Sequence, residues 1–373
     1  MLRDLPSCLL ALLLSHLQNV LAKHDLHARS NLVDVNGTTS LWLPQDEYSG
    51  SSFFDRWDFF TGDDPTHGIV NYTTRDDAFA SGLAFTQPDG TVIMQGDNTT
   101  QLDKGVPRKS VRISSQAQYN GGLFILDLNK APWGCGVWPA FWTVGSGNWP
   151  WTGEVDIIEG VHDNEHNQVA FHTAPGCLLN PNATFTGTVV TRDGQNNTQC
   201  NGLINDNSGC AVVEWSRASY GPFFDSQGGG VFVMKWDENG IAVWSFYRQA
   251  IPTDITQGSP DPSKWGPPVA ALEPASCDLS QYFANHSIIF DITFCGDWAG
   301  NSYASTNCPG TCDERLMDPS NFVNATWIIN NLKVYRKQSL TGTVTSDATL
   351  QISSWSRLAL LTAAFGIGFT WVV

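Results

Sequence analysis

Positive charge is scarce in this chain: 20 Lys and Arg residues stand against 36 Asp and Glu, for a formal charge of −16. A nucleic-acid groove needs positive potential along the phosphates, so that class of partner is set aside and a neutral polymer fits better. Long helical periodicity is also missing, apart from a short helix expected after Cys277. Repeated helical crossovers between parallel strands therefore have no source in the sequence. No internal repeat and no linker interrupts residues 31–336, which we read as one domain and expect to be monomeric. The two close Cys-x2-Cys pairs of a zinc site are absent. His162 and His166, in Val161-His-Asp-Asn-Glu-His-Asn167, fall in an expected loop rather than on the helix that a His-Glu-x-x-His site requires. We expect no metal and no cofactor.

Long apolar runs occur only at the two ends. Residues 1–22, starting Met1-Leu-Arg-Asp-Leu-Pro-Ser-Cys-Leu-Leu-Ala-Leu-Leu-Leu, read as a secretory signal peptide with small residues before Lys23. At the other end, a polar Ser/Thr-rich spacer over 337–357 leads into an apolar tail, 358–373. The tail is short for a membrane span and nothing basic follows it; Ser346-Asp347-Ala348 upstream suits attachment of a glycolipid at Ser346. A retained single-pass helix is the alternative. The expected location is the cell surface, on the outer plasma membrane or in the cell wall. Loss of Cys8 with the leader leaves eight cysteines, enough for four disulfides in an oxidising compartment. Short loops closed by Cys200–Cys210 and Cys308–Cys312 are two candidate pairings. Seven Asn-x-Ser/Thr sequons, at Asn36, Asn71, Asn98, Asn182, Asn196, Asn285 and Asn324, point to glycosylated surface loops.

Between the ends, short β-favouring runs alternate with Gly, Pro, Asn and Asp. Val231–Trp236, a turn through Asp237–Gly240, and Ile241–Phe246 read as a hairpin. The last strand is placed at Trp327–Arg336. Many such strands without crossover helices predict an all-β, two-sheet antiparallel sandwich.

The stretch Trp149-Pro-Trp-Thr-Gly-Glu154-Val-Asp156-Ile-Ile-Glu159-Gly-Val161 is organised differently from the rest. Alternation puts Glu154 and Asp156 on one face of a strand whose Val155 and Ile157 turn inward. Glu159 has the opposite parity, and one extra residue between Ile157 and Ile158, taken up as a β-bulge, returns it to the face of the other two. Trp133, Trp138, Trp142, Trp149 and Trp151 surround the motif. Indoles pack on the C–H faces of sugar rings while carboxylates take the hydroxyls, so this combination points to carbohydrate. Glycoside cleavage with retention uses two carboxyls about 5–5.5 Å apart, one attacking the anomeric carbon and the other serving as acid and then base. We read Glu154 as nucleophile and Glu159 as acid/base, although spacing alone does not order them, with Asp156 between as an assisting carboxylate. Crowding of like charges should raise one member's pKa. His172, ending the strand-like run Asn167–His172, is a candidate partner for Asp156 or Glu159.

Gly153-Glu-Val-Asp-Ile-Ile-Glu-Gly160 resembles the signature of glycoside hydrolase family 16 in its bulged Glu-x-Asp-x-x-Glu form. Gly136-Val-Trp-Pro-Ala-Phe-Trp142 before it, Asn167-Gln-Val-Ala-Phe-His-Thr173 after it and Phe294-Cys-Gly-Asp-Trp-Ala-Gly300 further on are similar to fungal laminarinase-like members. The resemblance implies a curved antiparallel β-jelly-roll sandwich of the concanavalin A-like type, with a concave glycan-binding cleft over residues 31–336. It implies retaining endo-hydrolysis of β-1,3 or mixed β-1,3(4) glucans, with Glu154, Asp156 and Glu159 catalytic and Arg112, Trp142, Trp149, His172 and Trp298 binding substrate. A glucan or chitin transglycosylase would use the same covalent intermediate, and a non-catalytic glucan lectin is a third reading. The C-terminal tail resembles surface-anchored fungal members.

Overall fold

The computed structural model describes residues 32–33 and 39–340. The expected leader, Asn36, Ser346 and the apolar tail lie outside them. Strands over the cleft-bearing side are β1 (Trp57–Phe59), β2 (Arg112–Ser115), β3 (Val137–Gly145), β4 (Glu154–Glu159), β5 (Gln168–His172), β6 (Thr188–Val189), β7 (Cys210–Val213) and β8 (His286–Phe294). Among the described residues they form one eight-stranded sheet in the order β6-β7-β5-β4-β3-β8-β2-β1. Among the described residues a nine-stranded sheet packs behind it, running from Leu32–Val33 through Thr39–Ser49, Thr326–Ser339, Gly122–Lys130, Gly230–Asp237 and Gly240–Tyr247 to Ala270–Leu272, with Val92–Gln95 and Ala84–Thr86 branching from Thr326–Ser339. Neighbours in both are antiparallel, and together they make the two-sheet sandwich that the alternating runs predict, in the jelly-roll form that the resemblance implies.

Alternation decides which side chains meet between the sheets. Phe141, Val155, Ile157, Val169, Phe171, Val212 and Phe290 of the first sheet join Phe124, Leu126, Leu128, Phe232 and Trp327 of the second in one core. Phe290 stacks on Phe141 with ring centroids 4.6 Å apart and meets Trp327 edge-on at 5.5 Å, linking the layers. Each such buried side chain contributes roughly 1.5–3 kcal/mol relative to exposure. The far face of the nine-stranded sheet is also apolar, and Ile251, Ile255 and Trp265 from the segment after Tyr247 cover it against Val233 and Trp244. The eight-stranded sheet carries Glu154, Asp156, Glu159 and His172 on its outer face, between indoles, and that is where a ligand has access.

The expected hairpin is present, with Val231 opposite Phe246 and Trp236 opposite Ile241. The helix after Cys277 is a single turn, Leu279–Tyr282, capped by Asp278 through the Ser280 N–H. The final strand continues past Arg336 to Ser339, because residues 337–339 still pair with Ser40–Trp42.

Cys200 pairs with Cys210 as anticipated, and Cys177 with Cys277. The Cys308–Cys312 pairing does not form: Cys308 bonds Cys135 and Cys312 bonds Cys295. The register explains it. Val137 and Phe294 are opposite one another, so Cys135 and Cys295 flank adjacent strand ends, and the loop carrying Cys308 and Cys312 is tied to both. Of the sequons in the described residues, Asn71, Asn182, Asn196 and Asn285 are exposed and Asn98 and Asn324 half-buried.

Candidate active site

The catalytic-type motif is β4, and its register shows how one face gains a third acid. Against β3, Trp142 pairs with Asp156 but Phe141 pairs with Ile158, leaving Ile157 as the extra residue. Against β5, Asp156 pairs with Ala170 and Glu159 with Gln168. Ile157 and Ile158 are both fully buried, whereas Glu154 and Glu159 reach the outer face on either side of Asp156. The bulge needs its loosened backbone satisfied, and Asn167 does this: its Nδ2 donates to Ile157 O at 2.9 Å and its Oδ1 accepts the Glu159 N–H at 3.0 Å. Glycines bound the strand for steric reasons. Gly153 has φ of +78° and a Cβ there would lie 2.5 Å from Tyr282 O; a Cβ on Gly160 would lie 2.9 Å from the Tyr220 ring.

Each acid has an individual partner. Trp149 Nε1 donates to Glu154 Oε2 at 2.8 Å, and Trp138 Nε1 donates to Glu159 Oε1 at 2.9 Å. His172 Nε2 lies 3.2 Å from Asp156 Oδ2 and 3.9 Å from Glu154 Oε1, as an ion pair rather than an aligned hydrogen bond. Burial, then the Asp156 charge, pushes Glu154 up to about 7, with His172 and the Trp149 N–H pulling the other way. The same two causes, burial first, hold Glu159 well above the usual carboxylate range, against the Trp138 N–H. Burial by itself would lower His172; the neighbouring Asp156, Glu154 and Glu159 outweigh it and raise the imidazole to about 9. At neutral pH the trio therefore holds a cationic imidazole. Glu154, Asp156 and His172 also bring donor atoms within 4.8 Å of one another, a spacing that suits a metal. The imidazolium charge offsets the two carboxylates beside it.

The remaining expected residues divide into two groups. Arg112 lies over Trp142 at 5.0 Å and over Phe60 at 4.7 Å, and approaches Asp291 at 4.0 Å. Trp142 Nε1 donates to Asp291 Oδ2 at 3.1 Å. All belong to strands or loops on the β3-β8-β2 side of the acids. Trp298 instead meets Trp138 edge-on at 5.8 Å and lines, with Glu159, a pocket of about 220 Å³. His162 and His166 serve separate partners: His162 Nδ1 accepts the Gly136 N–H at 3.1 Å, and His166 packs on Trp215. A larger cavity of about 520 Å³ lies beside the Cys295–Cys312 disulfide, lined by His67, Asp297 and Tyr303 rather than by the three acids.

Three site residues escape a reading of the sequence. Trp138 was visible only as one of a cluster. Asp291 had a signal, an acid in the apolar run of β8, where burial now raises its pKa to about 7. Asn167 had none, since its role depends on the bulge it caps.

A sandwich with one open face of acids walled by indoles defines a carbohydrate-active jelly-roll enzyme. A model described as the XgeA-like catalytic domain of glycoside hydrolase family 16 matches residues 57–335, and the chain belongs to that family. A probable glycosidase of Schizosaccharomyces pombe is 45% identical over 293 residues, covering 78% of this chain and 68% of its own length. The chain spans 39–66% of the length of further fungal relatives named endo-1,3(4)-beta-glucanases. Among solved structures, laminarinase 16A of Phanerochaete chrysosporium, with 6-O-glucosyl-laminaritriose in donor and acceptor sites, superposes with a TM-score of 0.75 at 38% identity, over 80% of this chain and 100% of that one. An elongating family 16 β-1,3-glucosyltransferase does so at 0.73 and 38%, over 79% and 100%.

Proposed function

We propose that the protein cleaves internal bonds of β-1,3 or mixed β-1,3(4) glucans with retention of configuration, through a covalent glycosyl-enzyme intermediate. The observation that carries this reading is the bulge at Ile157, which puts Glu154, Asp156 and Glu159 on one face with the outer two in unequal settings. Glu154, facing cationic His172, is the group held closer to ionisation and acts as nucleophile. Glu159, raised well above its usual range, starts protonated and gives its proton to the departing glycosidic oxygen. It then takes a proton from the attacking water. Asp156 stands between them and orients His172. Arg112, Trp142, Trp149 and Trp298 bind the chain. The names of the glucanase relatives and the laminarinase superposition support the substrate class.

The similarity to an elongating glucosyltransferase favours a second reading, in which a saccharide rather than water accepts the glycosyl group. The sequons, the leader and the tail with Ser346 support a glycosylated, secreted and surface-anchored enzyme acting on wall glucan. Incubating the purified full chain with β-1,3, β-1,3-1,4 and β-1,3-1,6 glucans, with and without a labelled acceptor, tests both. Short oligosaccharides born as β-anomers are expected; no new reducing ends from laminarin would count decisively against the proposal.

The role of His172 has its own readout. Its positive charge lowers the Glu154 pKa, so His172→Ala raises it and Glu154 ionises only at higher pH. The acid limb of the kcat/KM profile should move upward by about one pH unit, the lower end of the shift expected from one nearby opposite charge. An acid limb that stays in place would show that His172 acts by packing alone.

A further inference from the structure

We propose that Trp215 and His166 form the platform for the sugar on the leaving-group side of Glu159, and that this platform governs transfer to a second saccharide. The inference rests on the glucan-cleaving reading above. Sheet order separates two arms of the open face, and the pocket at Glu159 marks the leaving-group side. Arg112, Trp142 and Asp291 stand on the β3-β8-β2 side of the acids, while β5, β7 and β6 extend the same face the other way. Along that second arm the register runs from Glu159 to Gln168, Val213 and Thr188. Trp215 follows β7 with the parity of Val213 and is 62% exposed.

An exposed indole alone is unremarkable. This one is held: its Nε1 donates to Thr188 Oγ1 at 2.7 Å, and the His166 ring meets it at 5.2 Å. Both line the pocket of about 220 Å³ that contains Glu159. The loops that carry them are joined by an Arg217–Glu165 ion pair and by the Asn167 N–H donating to Ser219 Oγ. Asn167 is the residue that caps the bulge under Glu159, so the platform and the acid/base are set by one piece of backbone. Glu159 must reach the glycosidic oxygen, and the sugar attached to that oxygen then lies over this pocket. The apolar face of a pyranose can stack there on Trp215.

The same place serves the reverse half of the reaction. An acceptor hydroxyl oxygen attacks the anomeric carbon, the bond to the Glu154 carboxylate breaks, and the hydroxyl proton passes to Glu159. Stacking on Trp215 holds the acceptor where water would otherwise attack.

The test compares wild type with Trp215→Ala and Trp215→Phe in the full chain, using laminarihexaose with a fluorescent laminaritriose acceptor. The transfer-to-hydrolysis ratio should fall about fivefold in Trp215→Ala, in line with the loss of one ring contact, and recover largely in Trp215→Phe. The loss in kcat/KM should be greater on laminarihexaose than on an aryl β-laminaribioside, whose leaving group is no sugar. Thr188→Val, which removes the indole's hydrogen bond, should give a smaller fall in the same ratio and covers the case in which Trp215→Ala fails to fold. Ratios equal to wild type in folded variants overturn the proposal while leaving the cleavage reading intact; a wild-type chain that neither cleaves nor transfers overturns both.

Discussion

Glu154→Ala is expected to lower turnover of laminarin by more than about 10⁴-fold, the scale on which removing a covalent nucleophile acts. The fold should survive the change. The Glu154 side chain points into the cleft, its hydrogen-bond partner is the half-exposed Trp149, and its removal relieves repulsion with Asp156. Equal melting temperatures for variant and wild type would confirm that chemistry, not structure, is lost. Azide supplies the decisive second measurement. In the shortened variant it can enter from the face Glu154 occupied, form the C–N bond at the anomeric carbon and expel the glycosidic oxygen, which takes the Glu159 proton. The product is then a glycosyl azide of inverted, α configuration. Formation of the α-azide by a Glu159 variant instead would exchange the two assignments.

Much of this site is legible because short-range rules govern it. Alternation placed Glu154 and Asp156 together, and the wrong parity of Glu159 could be repaired only by an extra residue, which the register locates at Ile157. The hairpin at Val231–Phe246 follows equally from its turn residues. What stays hidden depends on which strands become neighbours. Asn167 matters because β5 lies beside the bulge, and Asp291 because β8 lies beside Trp142. The cysteines show the same limit. Cys200–Cys210 closes a local loop, as spacing suggests, whereas Cys308 and Cys312, closer still in sequence, separate because β3 and β8 end side by side. Trp215 shows that composition alone cannot rank tryptophans: five near the motif drew attention, and this one gains meaning only from the sheet order.

Glu159→Ala should divide substrates by their leaving groups. A glucan's alkoxide leaves poorly without a proton, so cleavage of laminarin falls about 10²–10⁴-fold, the range of general acid catalysis. An aryl glycoside with an acidic phenol leaves unaided, and its first step should be far less affected. The second step then limits, because no base activates water, and azide accelerates it by attacking the covalent intermediate to give the β-azide. The pH profile gives an independent reading. The working enzyme needs Glu154 ionised and Glu159 protonated, and the two titrate as a pair. Burial raises both, Glu154 to about 7 and Glu159 well above its usual range, so the bell of kcat/KM should lie above the carboxylate range of about 4. Its acid limb reports Glu154 and its basic limb reports the loss of the Glu159 proton. Glu159→Ala abolishes the basic limb on the aryl substrate and leaves the acid limb, set by Glu154, in place. A bell unchanged in that variant would mean that a different group delivers the proton.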